Sequence, residues 1–132
     1  MNSTIVFRVR YQETDQMGVV HHSVYYIWYE MGRTEWMREQ NMSYRECEAE
    51  GWLLPVVESG TRYLSPASYD DQIEVETVLI PDPGAGFRFE YLVRNVTTGK
   101  LLAEGFTKHV CIDRNYKINK QATKKLKELF KT

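Results

Sequence analysis

One segment constrains this chain more than any other, because six consecutive residues, Val24-Tyr25-Tyr26-Ile27-Trp28-Tyr29, are all apolar or aromatic. A helix on a protein surface needs an apolar stripe only about 100° wide, whereas this run would cover the whole circumference. We predict a helix over residues 23–39 whose first half is buried nearly all round. From Arg33 onward the residues are more polar, so the second half should emerge into solvent. Other elements of the chain must therefore wrap the start of this helix.

Alternation of apolar and polar residues, the pattern of β-strands, dominates much of the remaining chain. It predicts strands over residues 5–11, 53–64, 72–80, 87–96 and 101–113. Proline and glycine in the connecting segments 81–86 and 97–100 are typical of hairpin loops. We therefore expect the last three strands to form an antiparallel meander.

Two further helices complete the predicted order. Ser43 and Glu46 have the spacing of a capping box, which predicts a short helix that ends at Gly51, and apolar residues at helical spacing follow Asn119. A chain of 132 residues supports one core, so we expect a single domain over residues 1–132. The predicted fold class is α+β, with an antiparallel sheet of about five strands wrapped around one long helix. The other face of the sheet needs a partner chain or water.

Charge and composition exclude several functions. Lys and Arg together number 17 and Asp and Glu 18, so the net charge of −1 gives no general attraction to nucleic acid or to an anionic membrane. The lysine-rich stretch 117–131 is either a solvated helix face or a local anion-binding patch. No targeting segment or membrane-spanning run is present, which predicts a soluble, cytoplasmic protein. Cys47 and Cys111 lack metal-ligand spacing and should be free thiols.

Asp15 is the first candidate for chemistry, because it precedes the apolar helix in a loop that Gly18 allows to turn. A carboxylate at this place could act as a nucleophile or as a general base. The alternative is a turn-forming or capping aspartate. Glu13 is another nearby acid, with Glu30 and Glu35 further along, and we rank all three below Asp15.

The residues at the expected helix start are Val20, His21 and His22. Backbone amides there lack intrahelical partners, so they could polarise a carbonyl group and stabilise an oxyanion. The alternative for each histidine is a structural role, and two adjacent histidines without a third ligand predict no metal site. Tyr11 could orient the carboxylate or the substrate, or it could simply be a core residue.

Taken together, these residues resemble a family signature. Residues 11–35 read Tyr-x-x-Thr-Asp-x-x-Gly-Val-Val-x-His-x-x-Tyr-Tyr-x-x-Tyr-Glu-x-Gly-Arg-Thr-Glu. This motif resembles that of the hotdog-fold acyl-CoA thioesterases of the 4-hydroxybenzoyl-CoA thioesterase type, in particular the YbgC-like branch. The resemblance implies that Asp15 is the catalytic carboxylate, as nucleophile or as base, and that the His22 amide polarises the thioester carbonyl. It also implicates the His22 side chain and Tyr11.

The resemblance has consequences for ligands and partners as well. It implies a homodimer or homotetramer with shared active sites, an acyl-CoA substrate or alternatively an acyl-carrier protein as acyl donor, and no cofactor, since CoA belongs to the substrate. The CoA phosphates would contact basic residues, for which Arg88 and Lys108 are candidates together with the lysine tail. Trp28, Trp52 and residues 56–59 are expected to shape the acyl pocket, whose occupant could be aromatic or a short to medium aliphatic chain.

Two other functions are compatible with the same fold. A binding protein could hold acyl-CoA or an acyl carrier without hydrolysis, although Asp15 argues against it. A hydratase or dehydratase of 3-hydroxyacyl thioesters would need a paired histidine and acid over the β-hydroxyl, and the sequence contains no such motif.

Overall fold

The computed structural model describes residues 2–130 and contains one five-stranded antiparallel sheet with a long helix against one face. The elements are β1 (Asn2–Arg8), α1 (Val24–Glu39), α2 (Tyr44–Ala49), β2 (Val56–Tyr63), β3 (Gln72–Ile80), β4 (Gly86–Asn95), β5 (Leu101–Val110) and α3 (Lys120–Leu129). The strand order is β1-β3-β4-β5-β2, so β1 and β2 are the two edges. The predicted α+β class and the β3-β4-β5 meander are confirmed, while Met1 and the tail residue Lys131 lie outside the described residues.

The core lies between α1 and the face of the sheet that alternate strand residues form. Tyr29 stacks on Tyr91 of β4 with ring centroids 4.3 Å apart, and Trp36 packs edge-on against Phe89 at 5.3 Å. Burial of each such aromatic side chain contributes about 2–3 kcal/mol. The aromatic residues that predicted a buried helix therefore do form its contact with the sheet.

The predicted division of α1 into a buried and an exposed half is wrong. In the first half, Ile27 is 50% exposed, and Met31 near the middle of the helix is 41% exposed. In the second half, Trp36 and Met37 are each only 1% exposed. The sheet covers one side of the helix along its whole length, so burial follows the helix face. The apolar residues on the opposite side stay uncovered in the single chain.

Strand β1 ends at Arg8, whereas the predicted strand extended to Tyr11, so Tyr11 is not part of it. The chain leaves the sheet ladder after Arg8 because Val9 exchanges backbone hydrogen bonds with Asp70 and Asp71. Residues Tyr11–Glu13 then form one turn of 3₁₀-helix. Likewise β2 and β5 are shorter than predicted, although Leu53 and Ile112 still form a bridge beyond their ends.

The predicted helix ends are confirmed. Ser43 Oγ accepts from the Glu46 amide at 3.1 Å, and Glu46 Oε1 accepts from the Ser43 amide at 3.2 Å. Gly51 follows α2 with a φ of 80°, a conformation that costs glycine little. The Asn119 side chain accepts from the Ala122 amide at 3.0 Å at the start of α3.

The two cysteines are buried and unpaired, as predicted. No helix within residues 2–130 is long and apolar enough to cross a membrane.

A chain of hydrogen-bonded polar side chains runs through the core. The Tyr91 hydroxyl lies 2.6 Å from Thr107 Oγ1, which lies 2.8 Å from His109 Nε2, and His109 Nδ1 lies 3.0 Å from the Leu54 carbonyl. A carbonyl can only accept, so Nδ1 carries the proton and Nε2 accepts from Thr107. Burial lowers the pKa of His109 to about 4, so the ring is neutral at pH 7.

Helix α1 approaches β3 so closely at Gly32 that a side chain would not fit. A Cβ there would lie 2.5 Å from Thr77 Oγ1 and 3.3 Å from Val75 Cγ1. Alanine is the better helix former by about 1 kcal/mol, but the clash should outweigh this gain. We expect Gly32→Ala to lower the free energy of unfolding by about 2 kcal/mol, measured by urea denaturation. Thr77→Ala in the same chain should restore part of the loss, and a single variant as stable as the wild type would contradict the close packing.

Candidate active site

Asp15 lies in a tight hairpin between the end of β1 and the start of α1. Thr14 bridges Val20, and the Asp15 amide donates to the Val19 carbonyl at 2.8 Å. The Gly18 amide donates back to the Asp15 carbonyl at 3.0 Å, and Gly18 has a φ of 82° that other residues adopt only with strain. The hairpin thus returns the chain from the carboxylate to the helix start.

The Asp15 carboxylate is only partly engaged by the protein. Oδ1 accepts from the Met17 amide at 2.8 Å, which is the turn-forming role considered from the sequence. No hydrogen bond within residues 2–130 uses Oδ2, and the residue is half-buried. One oxygen therefore shapes the loop, and the other can face a ligand.

The amides at the helix start differ in what they already bind. The Val20 amide donates to the Ala67 carbonyl at 2.9 Å and the His21 amide to the Glu13 carbonyl at 3.0 Å. No acceptor within the described chain forms a hydrogen bond with the His22 amide, and α1 begins two residues later. Of the three predicted donors, only His22 thus keeps an amide for a ligand, because the other two fix the position of the loop.

The two histidine rings stack on each other at a centroid distance of 4.3 Å, and both are exposed. His21 Nδ1 lies 2.7 Å from Ser23 Oγ, so this ring helps to shape the helix start. No group of three metal-ligating side chains occurs in the part of the chain that the structure describes.

Two tyrosines flank the hairpin. Tyr11 is 77% exposed and packs edge-on against Tyr69 at 5.5 Å, so the core alternative for Tyr11 is wrong. Tyr63 at the end of β2 donates its hydroxyl to the His22 carbonyl at 2.9 Å. Partial burial raises the pKa of Tyr63, which keeps the hydroxyl a neutral donor. Sequence reasoning missed this residue because a tyrosine at a strand end gives no sign of a partner 41 residues away.

Arg88 and Lys108, the candidates for the CoA phosphates, face each other across β4 and β5. Arg88 Nε lies 2.9 Å from Glu90 Oε2, its guanidinium lies 4.1 Å from the centre of the Phe106 ring, and Lys108 Nζ lies 3.9 Å from Glu58 Oε1. A phosphate would therefore compete with carboxylates for both cations. The structure shows no contact of either residue with the hairpin of Asp15 among residues 2–130.

The residues expected to shape an acyl pocket are not alike in accessibility. Trp28 is fully buried, between Phe7 at 5.2 Å and Tyr25 at 4.9 Å, so it is a core residue and not a pocket wall in this chain. Trp52 is half-buried, and residues 56–59 are exposed along the edge strand β2.

The fold and this hairpin define a class of protein: one long helix on a five-stranded antiparallel sheet, with a carboxylate beside the helix start. The profile of the thioesterase-like superfamily matches residues 9–128, and the chain belongs to this superfamily. The thioesterase family and the hotdog fold predicted from the motif are thereby confirmed.

Individual relatives agree with this assignment. The chain is 35% identical over 106 residues to the putative acyl-CoA thioesterase YneP of Bacillus subtilis, covering 80% of this chain and 76% of that protein. It is 34% identical over 116 residues to the acyl-CoA thioester hydrolase YbgC of Escherichia coli, covering 86% of each. The solved structure of hypothetical protein TT1821 from Thermus thermophilus superposes with a TM-score of 0.85 at 40% identity, covering 98% of both chains.

Proposed function

We propose that this protein hydrolyses acyl-CoA thioesters to a carboxylic acid and free CoA, in the cytoplasm. The observation that carries the proposal is that the Asp15 Oδ2 oxygen, at the turn of the hairpin, and the His22 amide, where the hairpin leads into α1, both lack a hydrogen-bond partner within residues 2–130. The names of the YneP and YbgC relatives support the substrate class.

In the proposed reaction the thioester carbonyl oxygen lies against the His22 amide, at the positive end of α1. Asp15 either attacks the carbonyl carbon or takes a proton from the water that attacks it. Negative charge then develops on the carbonyl oxygen, where one positioned donor is typically worth about 10²–10³ in rate. The carbon–sulfur bond breaks, and CoA leaves as the thiolate and takes up a proton. If Asp15 acts as base, the oxygen of the attacking water becomes part of the carboxylate product. If Asp15 attacks, the acyl group is left on Asp15 as an anhydride, and a water molecule hydrolyses it to the carboxylate and free Asp15. Tyr11 and the His22 ring are proposed to contact the substrate.

We also propose that two chains pair along β2 and share their active sites, as a homodimer or as the unit of a homotetramer. This edge strand exposes apolar side chains, with Val57 59% and Tyr63 45% exposed. An uncovered strand edge invites pairing with another chain. The strand also contacts the proposed site directly, since Tyr63 bonds to His22.

Replacement of Val57 with lysine should separate the chains. Val57 lies where β2 shifts register against β5, so a charge there opposes pairing without removing a bond to β5. We expect a monomer in size-exclusion chromatography with light scattering and roughly 10-fold lower turnover, the scale of a mispositioned site. Val6→Lys, on the other edge strand at 52% exposure, is the matched control. A dimer of undiminished activity in the Val57 variant would argue against a shared site on this edge.

Arg88 and Lys108 remain our proposed contacts for the CoA phosphates, in competition with Glu90 and Glu58. The proposal includes an acyl-carrier protein as an alternative donor of the acyl group. No cofactor enters the mechanism, because water and the protein groups supply every atom transferred.

The test is thiol release from a panel of acyl-CoAs with aromatic and with short, medium and long aliphatic groups. Release of CoA with the free acid as product, identified by mass spectrometry, would support hydrolysis and identify the acyl class. A 3-hydroxyacyl or enoyl product would instead indicate a hydratase or dehydratase. Tight binding of the panel without any product would indicate a binding protein.

A further inference from the structure

Glu13 is a buried carboxylate next to the proposed site, and the proposed mechanism does not use it. The residue is 5% exposed, although a buried carboxylate is costly unless hydrogen bonds satisfy it. Its side chain accepts from the Arg10 amide at 2.8 Å, from the Trp28 indole at 3.1 Å and from the Arg10 guanidinium at 3.4 Å. Three donors therefore converge on one side chain.

These bonds join the parts of the proposed site. The Trp28 bond links the carboxylate to the second turn of α1, and Trp28 is itself fully buried. The Glu13 carbonyl accepts from the His21 amide, one residue before His22, while Asp15 follows Glu13 by two residues. Glu13 thus contacts the segment that follows β1, the residues that precede α1 and the second turn of α1.

The hydrogen bonds within the hairpin do not connect it to α1. The bonds between Asp15, Val19 and Gly18 fix the internal shape of the loop, yet none of them reaches α1. The loop is joined to α1 by the two links through Glu13 and by the Val24 amide, which donates to the His21 carbonyl at 3.0 Å, while Val20 bonds to Ala67 and Tyr63 to His22. Of the two contacts with the helix itself, the Glu13–Trp28 bond reaches its second turn and the Val24 bond only its first residue.

We infer that Glu13 is a positioning residue for thioester hydrolysis: its bond to Trp28 holds the hairpin of Asp15 against α1, and so fixes where the Asp15 carboxylate lies relative to the His22 amide at the helix start. The inference rests on the proposed function. Loss of this bond leaves the chemical groups intact but lets the loop shift relative to the helix, and a displacement of about 1 Å at an active site can cost up to about 100-fold in rate. The substrate contacts remote from the reacting atoms are unaffected, so kcat should change and KM should not.

Two variants test the Glu13–Trp28 hydrogen bond, each by changing one of its two partners. Trp28→Phe removes the indole N–H but keeps a ring against Phe7 and Tyr25, and Glu13→Gln removes the charge but keeps one acceptor. We expect roughly 10-fold lower kcat for each, with KM within about 2-fold. The double variant should lose little more than either single variant, because both remove the same contact. Trp36→Phe, at the other end of the same helix, is the matched control and should keep the wild-type kcat.

Turnover is calculated per folded molecule, with the folded fraction taken from circular dichroism, so that lost stability is not counted as lost catalysis. Normal kcat in both folded variants would overturn the inference, as would a fall in kcat equal to that of Trp36→Phe. A rise in KM alone would also overturn it, because a positioning role predicts the opposite split. Failure of the proposed function is seen separately, as thiol release that does not depend on Asp15.

Discussion

Replacement of Asp15 with asparagine should lower kcat at least about 100-fold while the protein keeps its fold, since general acid–base catalysis by a positioned group contributes about 10²–10⁴. Asparagine has the same shape, and its side-chain oxygen can still accept from the Met17 amide as Oδ1 does at 2.8 Å. The hairpin should therefore persist, and only the ability to attack or to accept a proton is lost. Thiol release under saturating substrate measures the effect.

The matched control is Asp113→Asn. Asp113 Oδ1 accepts from the Asn115 amide at 2.8 Å, the same bond over the same two-residue span, in a loop remote from the hairpin. This variant should keep wild-type turnover, so any loss specific to Asp15 is chemical and not a general effect of replacing a turn aspartate. Activity of Asp15→Asn within a few-fold of wild type would remove Asp15 from the mechanism.

A single-turnover reaction in H₂¹⁸O distinguishes the two roles considered for Asp15. If the carboxylate attacks the carbonyl, hydrolysis of the resulting anhydride can leave ¹⁸O in the Asp15 side chain. If Asp15 acts as a base, the label enters only the product acid. Peptide mass spectrometry of the recovered protein distinguishes these outcomes.

The second large effect is a loss of stability on mild acidification, caused by His109. This ring is 2% exposed, and burial lowers its pKa from 6.5 to about 4 in the folded protein. Between these values the unfolded chain binds a proton that the folded chain does not, so unfolding becomes more favourable as pH falls. The neutral His109 ring makes its full contribution to the free energy of unfolding above pH 6.5, and this contribution is lost as the pH falls towards 4. The loss is about 2 kcal/mol at pH 5 and about 3 kcal/mol in total.

Urea denaturation at pH 7, 6 and 5 measures this loss. In His109→Gln the titrating group is gone, so the fall in unfolding free energy between pH 7 and pH 5 should be smaller by about 2 kcal/mol than in the wild type. His21→Gln, which alters an exposed histidine, should retain the wild-type slope. Equal slopes for wild type and His109→Gln would show that the ring does not titrate in this range. Arg33, which bonds to Tyr91 at the other end of the same polar chain, adds to the unfavourable environment for a charged imidazole.

Much of the fold followed from local patterns. Alternation located both ends of β3, at residues 72 and 80, and the Ser43–Glu46 pair located the start of α2, because both depend on neighbours close in sequence. The ends of β1, β2 and β5 were less predictable. They depend on partners distant in the chain, such as the bonds of Val9 to Asp70 and Asp71, which no local pattern encodes.

The same division holds for the candidate site. The motif around Asp15 and His22 was visible in the sequence, since the glycine turn and the helix start are local features. Which amides stay available was not visible, because Val20 is engaged by Ala67, and Tyr63 reaches His22 from β2. Glu13 ranked below Asp15 as an acid, and only its burial and its bond to Trp28 distinguish it from Glu30 and Glu35.

The sequence by itself determined the elements, the α+β class and the thioesterase motif, because periodicity, capping and turn chemistry act over a few residues. The tertiary structure alone decided which side of α1 is buried, which amide at the helix start is left for a ligand, and how the hairpin of Asp15 is tied to the helix. These properties arise from contacts between residues far apart in the chain, where the sheet meets one face of the helix and two distant segments meet the loop.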